Sequence, residues 1–461
     1  MSKKPISRRD FIKLTGGAAA AAALAACAPA PTAAPAPTQA PAPTQAPAPT
    51  AVPTVVSSKP FNGVTVRMLA ITGGNYDELY KAIPTWEDQT GAKMEFAFKG
   101  DGFNTDKRLV QDFAAGTVDY DVTWDHSSFF SAYVKADGLE PLESYWTADE
   151  LSDFIPRLVD ATRRDGHLWV IPRHYDISCL HYRTDLISDS EVPQTWDQFK
   201  ALALKLTDAS KGIYGTQIAG KEEALTGRYY EVLTAEGGAL FDDKWNPTFN
   251  SAPGVKAATM FADLYKAGAM PPGLTNYVWA DVAKNFADGI VAIYTEWYGW
   301  YSYFQDPASS KVGGKFGLAR APMGDGKVHS GWAGNHGFSI TKASKNKEAA
   351  ASLIKFLTSP DEQRIEAKLG FTVSRQSINQ EAIDEAAKST VPLDKARLEL
   401  ALLQAKEDYK TPPLIAEWIP FSNIFYPIMQ KIILGDVSPQ AGLDDAATQT
   451  KKLMADAGYY K

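Results

Sequence analysis

The sequence predicts an α/β protein built as two lobes, and three observations carry that expectation. Strand-like and helix-like stretches alternate from Phe61 onward. The body they form, of roughly 400 residues, is larger than one ordinary sheet covers. No low-complexity linker interrupts that body, so the chain is expected to pass between lobes more than once through short strands.

The elements read in order. VTVRML (64–69) alternates apolar and polar positions, as a half-buried strand does. YDELYKAIPTW (76–86) sets Tyr76, Leu79, Tyr80, Ile83 and Trp86 at helical spacing. KMEFAF (93–98), YDVTW (120–124) and LWVIP (168–172) read as further strands, and KRLVQDFAAG (107–116) as a helix closed by glycine. In VPQTWDQF, Thr195 caps a helix and Gln198 returns the bond. In TSPDEQRIEAKLG, Ser359 caps, Pro360 suits the first helical position, Glu362 closes the box and Gly370 ends the helix. IVAIYTEWYGWYSYF predicts a strand over 290–295 running into a helix. Trp300, Tyr301 and Phe304 then pack that helix against its lobe. The sheet implied by this alternation is largely parallel.

The first sixty residues are of another kind. SRRDFIKL (7–14) is a twin-arginine pattern, followed by an apolar run too short to span a bilayer stably. LAAC (24–27) resembles a bacterial lipoprotein processing site. Residues 1–26 are therefore expected to be a twin-arginine lipoprotein signal peptide, with Cys27 acylated after cleavage. Residues 27–58, rich in Pro, Ala and Thr and repeating APTQAP, bear almost no bulky apolar group and cannot form a core. They read as a disordered tether. Cys179 is then left as a lone thiol, expected to be a small buried hydrophobe.

Net charge is −7; without residues 1–26 there remain 42 basic against 53 acidic side chains, or −11. An acidic body argues against a nucleic-acid partner, whose phosphates need a basic footprint. Catalytic signatures are missing. YGTQIAGKE (214–222) approaches a phosphate-binding loop but places Glu222 where a metal-holding Ser or Thr belongs. There is no GxSxG, HExxH or CxxC, and the six histidines are scattered. Paired carboxylates for glycoside hydrolysis stay open, because such acids need not be near in sequence.

Several segments together resemble the extracellular solute-binding proteins of ABC importers, the family that includes maltose- and other sugar-binding proteins. These are YDVTWDHSSFFSAYVKADGLEPLESY, DGHLWVIPRHYDISCLHYRTDL, VPQTWDQF, EGGALFDDKWNPTFNSAPGVKAATMFADLYKAG, FADGIVAIYTEW and GWAGNHGFSI, in that order, spanning about Val64 to Gly442. The resemblance implies a bilobal periplasmic-binding-protein-like fold, two mixed or parallel sheet lobes joined by a multi-crossing hinge. By that pattern the lobes are 59–173 with 323–373, and 174–322 with 374–461. Crossings fall near Pro172 to Asp176, Arg320 to Pro322 and Phe371 to Arg375. It further implies a monomer without enzymatic activity or cofactor. Such a protein binds a small solute in the interlobe cleft and closes on it. It then presents the solute to a membrane permease.

A sugar offers hydroxyls that need hydrogen-bond partners and C–H faces that lie well on flat rings, so its cleft wants aromatics beside acids. This chain has Trp124 beside Asp125, Glu296 beside Trp297, and Trp332 in a glycine-rich turn. TEWYGWYSYF (295–304) alone holds six aromatic rings. Trp297, at the carboxyl end of its strand, is the expected platform. Asp176 at the first crossing, Arg375 at the last, Trp418, and Gly73, Gly74 and Asn75 after the first strand complete the candidate ligand-binding set. No metal ligands are assigned. A carbohydrate is the expected solute. A polyamine, a phosphodiester or iron is the rival within the class, and an extracellular glycoside hydrolase the rival outside it.

Overall fold

The structure, a computed structural model, describes residues 59–460; the signal peptide, Cys27 and the Pro/Ala/Thr-rich tether fall outside the described residues. Ten strands follow in chain order: β1 (Thr65–Ile71), β2 (Lys93–Gly100), β3 (Val122–His126), β4 (Arg163–Arg164), β5 (His167–Leu168), β6 (Ile171–Arg183), β7 (Ile293–Trp297), β8 (Phe316–Arg320), β9 (Gly331–Ile340) and β10 (Tyr409–Lys410). β4 and β5 form a small hairpin; the other eight form one sheet in the order β2-β1-β3-β9-β6-β7, with β8 on β6 and β10 on β9.

The sheet is mixed where alternation alone suggested mostly parallel pairing. β1 runs parallel to β2 and β3, but β9 is antiparallel to both β3 and β6, and β6 is antiparallel to β7 and β8. The long β6 explains the departure. It pairs with β9 over Ile171 to Ile177, then with β7 and β8 over Ser178 to Arg183. One strand therefore serves two halves of the molecule. Its start, Ile171, packs with Val66, Val122 and Leu353; its later Leu180 packs in a separate core with Trp196, Phe261 and Phe425. β9 makes the same passage, with Trp332 in the second core and Phe338 and Ile340 in the first.

Local chemistry accounts for the helix limits. Thr195 and Gln198 form the full reciprocal box on the helix Trp196–Leu206. Ser359 accepts from the Glu362 backbone N–H at 3.4 Å, without a returning bond from Glu362, and Gly370 follows the helix Pro360–Lys368 at φ 96°. The single helix expected over 76–86 is two, Gly74–Tyr80 and Ile83–Thr90. Pro84 has no N–H to extend the first helix and instead occupies the first turn of the second. The strand expected over 290–295 lies at Ile293–Trp297, and its 3₁₀ turn and short helix Tyr301–Gln305 bury Tyr301 and Phe304 against Phe286 and Phe316. A fully buried phenylalanine such as Phe304 contributes about 1.5–3 kcal/mol. Cys179 is buried with its thiol pushed up by desolvation, as a packing residue should be.

Candidate functional site

The passage strands carry a continuous stripe of rings and polar groups on one face. Alternation along β3 puts Trp124 and His126 on the same side. Register then sets His336 opposite His126, His174 opposite His336, and Asp176 opposite Gly334. The His174 and His336 rings stack with centroids 4.2 Å apart, and His126 meets His336 edge-on at 4.7 Å. Tyr76, from the helix after β1, packs on His174 at 5.8 Å and accepts the Trp124 indole N–H at 2.9 Å. Gly334 allows this closeness, because a Cβ there would lie 2.5 Å from His126 Nε2.

Farther along the same face, Ser178 lies opposite Trp297 and accepts from the Arg228 guanidinium at 2.6 Å. That guanidinium sits 4.8 Å from the Trp297 ring, 5.3 Å from Trp332 and 5.6 Å from Trp279. The three indoles touch one another at 4.9 to 5.4 Å. Arg228 also meets Glu231 at 3.0 Å and Glu296 at 3.3 Å. Trp332 is buried, whereas Trp279 and Trp297 keep part of their surface open. Asp176 and His336 are likewise half-buried, and a Cβ at Gly299 would stand 4.0 Å from the Asp176 carboxylate.

Hydrogen bonding sets the histidine tautomers. Arg173 donates to His174 Nδ1 at 3.0 Å, so the His174 proton sits on Nε2, facing Asp176 Oδ2 at 3.9 Å. Ser128 N–H donates to His126 Nδ1 at 3.2 Å. His336 Nε2 lies 2.9 Å from Asp176 Oδ2, and its buried Nδ1 has no partner among the described residues. Burial, reinforced by His336, holds His126 and His174 well below the usual histidine range, so both are neutral. His174, Asp176 and His336 place one donor atom each within 4.8 Å, a spacing that invites a metal. Two features oppose it. The stacked rings, 12° from parallel, aim their lone pairs along parallel planes, and the Arg173 bond keeps the His174 proton on the nitrogen a metal would need. The set instead offers N–H donors around one carboxylate.

A second link joins the halves. Glu223, buried, accepts from Ser128 Oγ at 2.9 Å and Trp418 Nε1 at 2.8 Å, and its burial raises the carboxyl. Beside it, Lys135 meets Glu417 at 2.5 Å, and Tyr459 donates to the same carboxylate at 2.6 Å. Ser128 and Lys135 flank Phe129, Phe130 and Tyr133 of the first core; Trp418 belongs to the second.

The expected residues divide accordingly. Trp124, Asp176, Trp297 and Trp332 share the stripe, and Glu296 touches it through Arg228. Asp125 departs from expectation: it is fully buried on the opposite face, accepting from Ser339 Oγ at 2.9 Å and the His126 N–H at 2.7 Å. Arg375 also departs. It braces the chain, donating to the Thr358 carbonyl at 2.8 Å and meeting Asp153 at 3.3 Å over the Phe154 ring. Trp418 is buried, with its indole N–H spent on Glu223. Gly73, at φ 138°, precedes the helix that begins with Gly74 and Asn75 and delivers Tyr76 to the stripe. Sequence reasoning missed Tyr76, His174, Arg228, Trp279 and His336. The segments PRHYD and GWAGNH already held two of them among residues noted for other reasons.

Comparison with known proteins agrees with this architecture. A twin-arginine signal model matches residues 5–25, and the bacterial extracellular solute-binding protein model matches residues 70–364. The mannitol-binding protein of Pseudomonas aeruginosa is 25% identical over 344 residues, covering 70% of this chain and 78% of its own. Among solved structures, maltose-bound MalE3 of T. maritima is 26% identical with a TM-score of 0.74, covering 85% of this chain and 100% of that one. A ribitol-bound ABC transporter solute-binding protein of Agrobacterium radiobacter is 27% identical with the same TM-score of 0.74, covering 86% and 100%. With the sheet shared between two cores and a family model spanning most of the body, the chain belongs to the bacterial extracellular solute-binding proteins, in the bilobal fold of ABC-importer receptors.

Proposed function

We propose that this protein is the extracytoplasmic receptor of an ABC importer for a sugar or polyol, held at the cell surface by acylated Cys27 and handing its solute to a permease. The stripe from Asp176 and His336 to Trp297 and Trp279 carries the reading. It sets a half-buried carboxylate, held by imidazole N–H groups, to accept from hydroxyls beside partly open indole faces for C–H surfaces. Relatives named for mannitol and structures solved with ribitol or maltose fit that chemistry. A cationic solute fits less well, since Arg228 already fills the three-indole box.

The lobes on this reading are 59–173 with 323–373, and 174–322 with 374–461; the first core lying within the former and the second, apart from Trp332, within the latter supports that division. The solute sits where β6 and β9 pass between them. Tethering raises the receptor's effective concentration near its permease. As a monomeric receptor it performs no bond chemistry on its cargo. A thermal-shift and calorimetric screen of the full chain over polyols, maltose and galactooligosaccharides tests the reading. A saturable rise in Tm without release of product is expected. No response to any polyhydroxylated solute, or release of a cleaved sugar, refutes it.

A further inference from the structure

A groove of about 1070 Å³ shares no lining residue with the stripe; it is lined by Tyr301, Ser302 and the helices Pro360–Lys368, Gln376–Ala386 and Pro392–Glu407. Its lining carries four basic and four acidic side chains, so pairing rather than net charge decides its character. Arg364 is committed to Glu381 at 2.6 Å and Asp361 at 2.7 Å, and Lys388 to Glu385 at 2.5 Å. Asp394 accepts from the Tyr301 and Ser389 hydroxyls, both at 2.5 Å, and Asp384 from the Gln380 amide at 2.9 Å.

Lys368 and Arg397 remain. Neither forms an ion pair with a carboxylate among the described residues, and the acids that act on them, Glu385 on Lys368 and Asp394 on Arg397, do so at longer range. Arg397 is only 5% exposed. It lies over the Tyr301 ring at 4.6 Å, and among the described residues it gives a single hydrogen bond, from Nη1 to the Gly370 carbonyl at 2.9 Å, while its buried Nε has no partner there. A guanidinium carries five donors in a planar fork, and the acid that acts on this one, Asp394, forms no ion pair with it and has both oxygens engaged by hydroxyls, so the buried charge is incompletely balanced. The fork matches the paired oxygens of a carboxylate or phosphate. Lys368, on the exposed rim of the same groove, adds a second positive charge.

We propose that this groove is a second binding site, distinct from the solute cleft, for a small oxyanion of the phosphate or carboxylate class held by Arg397 at its floor and Lys368 at its rim. The test is calorimetric titration of the full chain with inorganic phosphate and, separately, acetate, at fixed pH and ionic strength against chloride. Saturable binding of at least one is expected, and which one binds identifies the class. Lys368→Ala, at an exposed position, should weaken it by about 3- to 10-fold, and Arg397→Lys, which keeps the charge but loses the fork, by about 10-fold or more. If Arg397→Lys does not fold, the Lys368→Ala titration decides. Absence of saturable binding of both anions to the wild-type chain, or binding that Lys368→Ala leaves unchanged, overturns the proposal.

Discussion

Replacing Glu296 with Gln should remove a pH-dependent weakness built into the second core. Glu296 is buried, and desolvation pushes its carboxyl up to about 7 despite Arg228 at 3.3 Å and the Trp297 N–H at 3.0 Å. An ordinary glutamate ionises near 4.5, as it does in the unfolded chain. Below that value both states hold the proton, and above about 7 both have lost it. Between the two, the folded protein keeps a proton that the unfolded chain releases, so stability falls as pH rises. The full fall attributable to this group is about 3 kcal/mol. Glutamine keeps an acceptor for Arg228 and for the Trp297 N–H, and Glu231 still balances Arg228 at 3.0 Å. Urea unfolding of wild type and Glu296→Gln at about pH 4.5 and about pH 8 isolates the effect, because the other titrating groups cancel in the comparison. The wild type should lose about 3 kcal/mol more than the variant between the two conditions. Parallel pH profiles, within about 0.5 kcal/mol, would refute the argument that burial dominates this site.

Three further outcomes are expected. Trp297→Ala should weaken solute binding by about 1–3 kcal/mol in calorimetry. It should also lower stability by about 3 kcal/mol, because the ring walls Arg228; an unchanged affinity would remove the indole from the site. Lys135→Ala leaves the mostly buried Glu417 carboxylate, among the described residues, with only the Tyr459 hydroxyl, and should speed solute release several-fold in stopped-flow measurements; an unaltered off-rate would mean that the Lys135–Glu417 pair does not hold the halves together. Cys27→Ser should move the exported protein from the membrane fraction to the soluble one, and retention in the membrane would sink the acylation reading.

What the sequence made legible was mostly local. The Thr195–Gln198 box depends on four adjacent residues, and the burial of Tyr301 and Phe304 on spacing within one turn. Asp125 was also within reach: the two-residue period of a strand puts it opposite to Trp124 and His126, so Trp124 and Asp125 could not both face one cleft. The meeting of Asp176 with His336, 160 positions apart, was not legible, since it rests on the register of β6 against β9. Arg228 was hidden for another reason. It lies in a helix, Glu222–Ala235, buried on nearly every side, where no amphipathic stripe marks which residue faces the rings.

The two passage strands have a mechanical consequence. β6 and β9 are hydrogen-bonded to each other from Ile171 to Ile177 while their ends are anchored in different cores. Such a ribbon resists stretching and in-plane bending, where the bonds are stiff, and yields in torsion, where strands are naturally compliant. Any turn of one half against the other is therefore taken up as a change of twist along this ribbon.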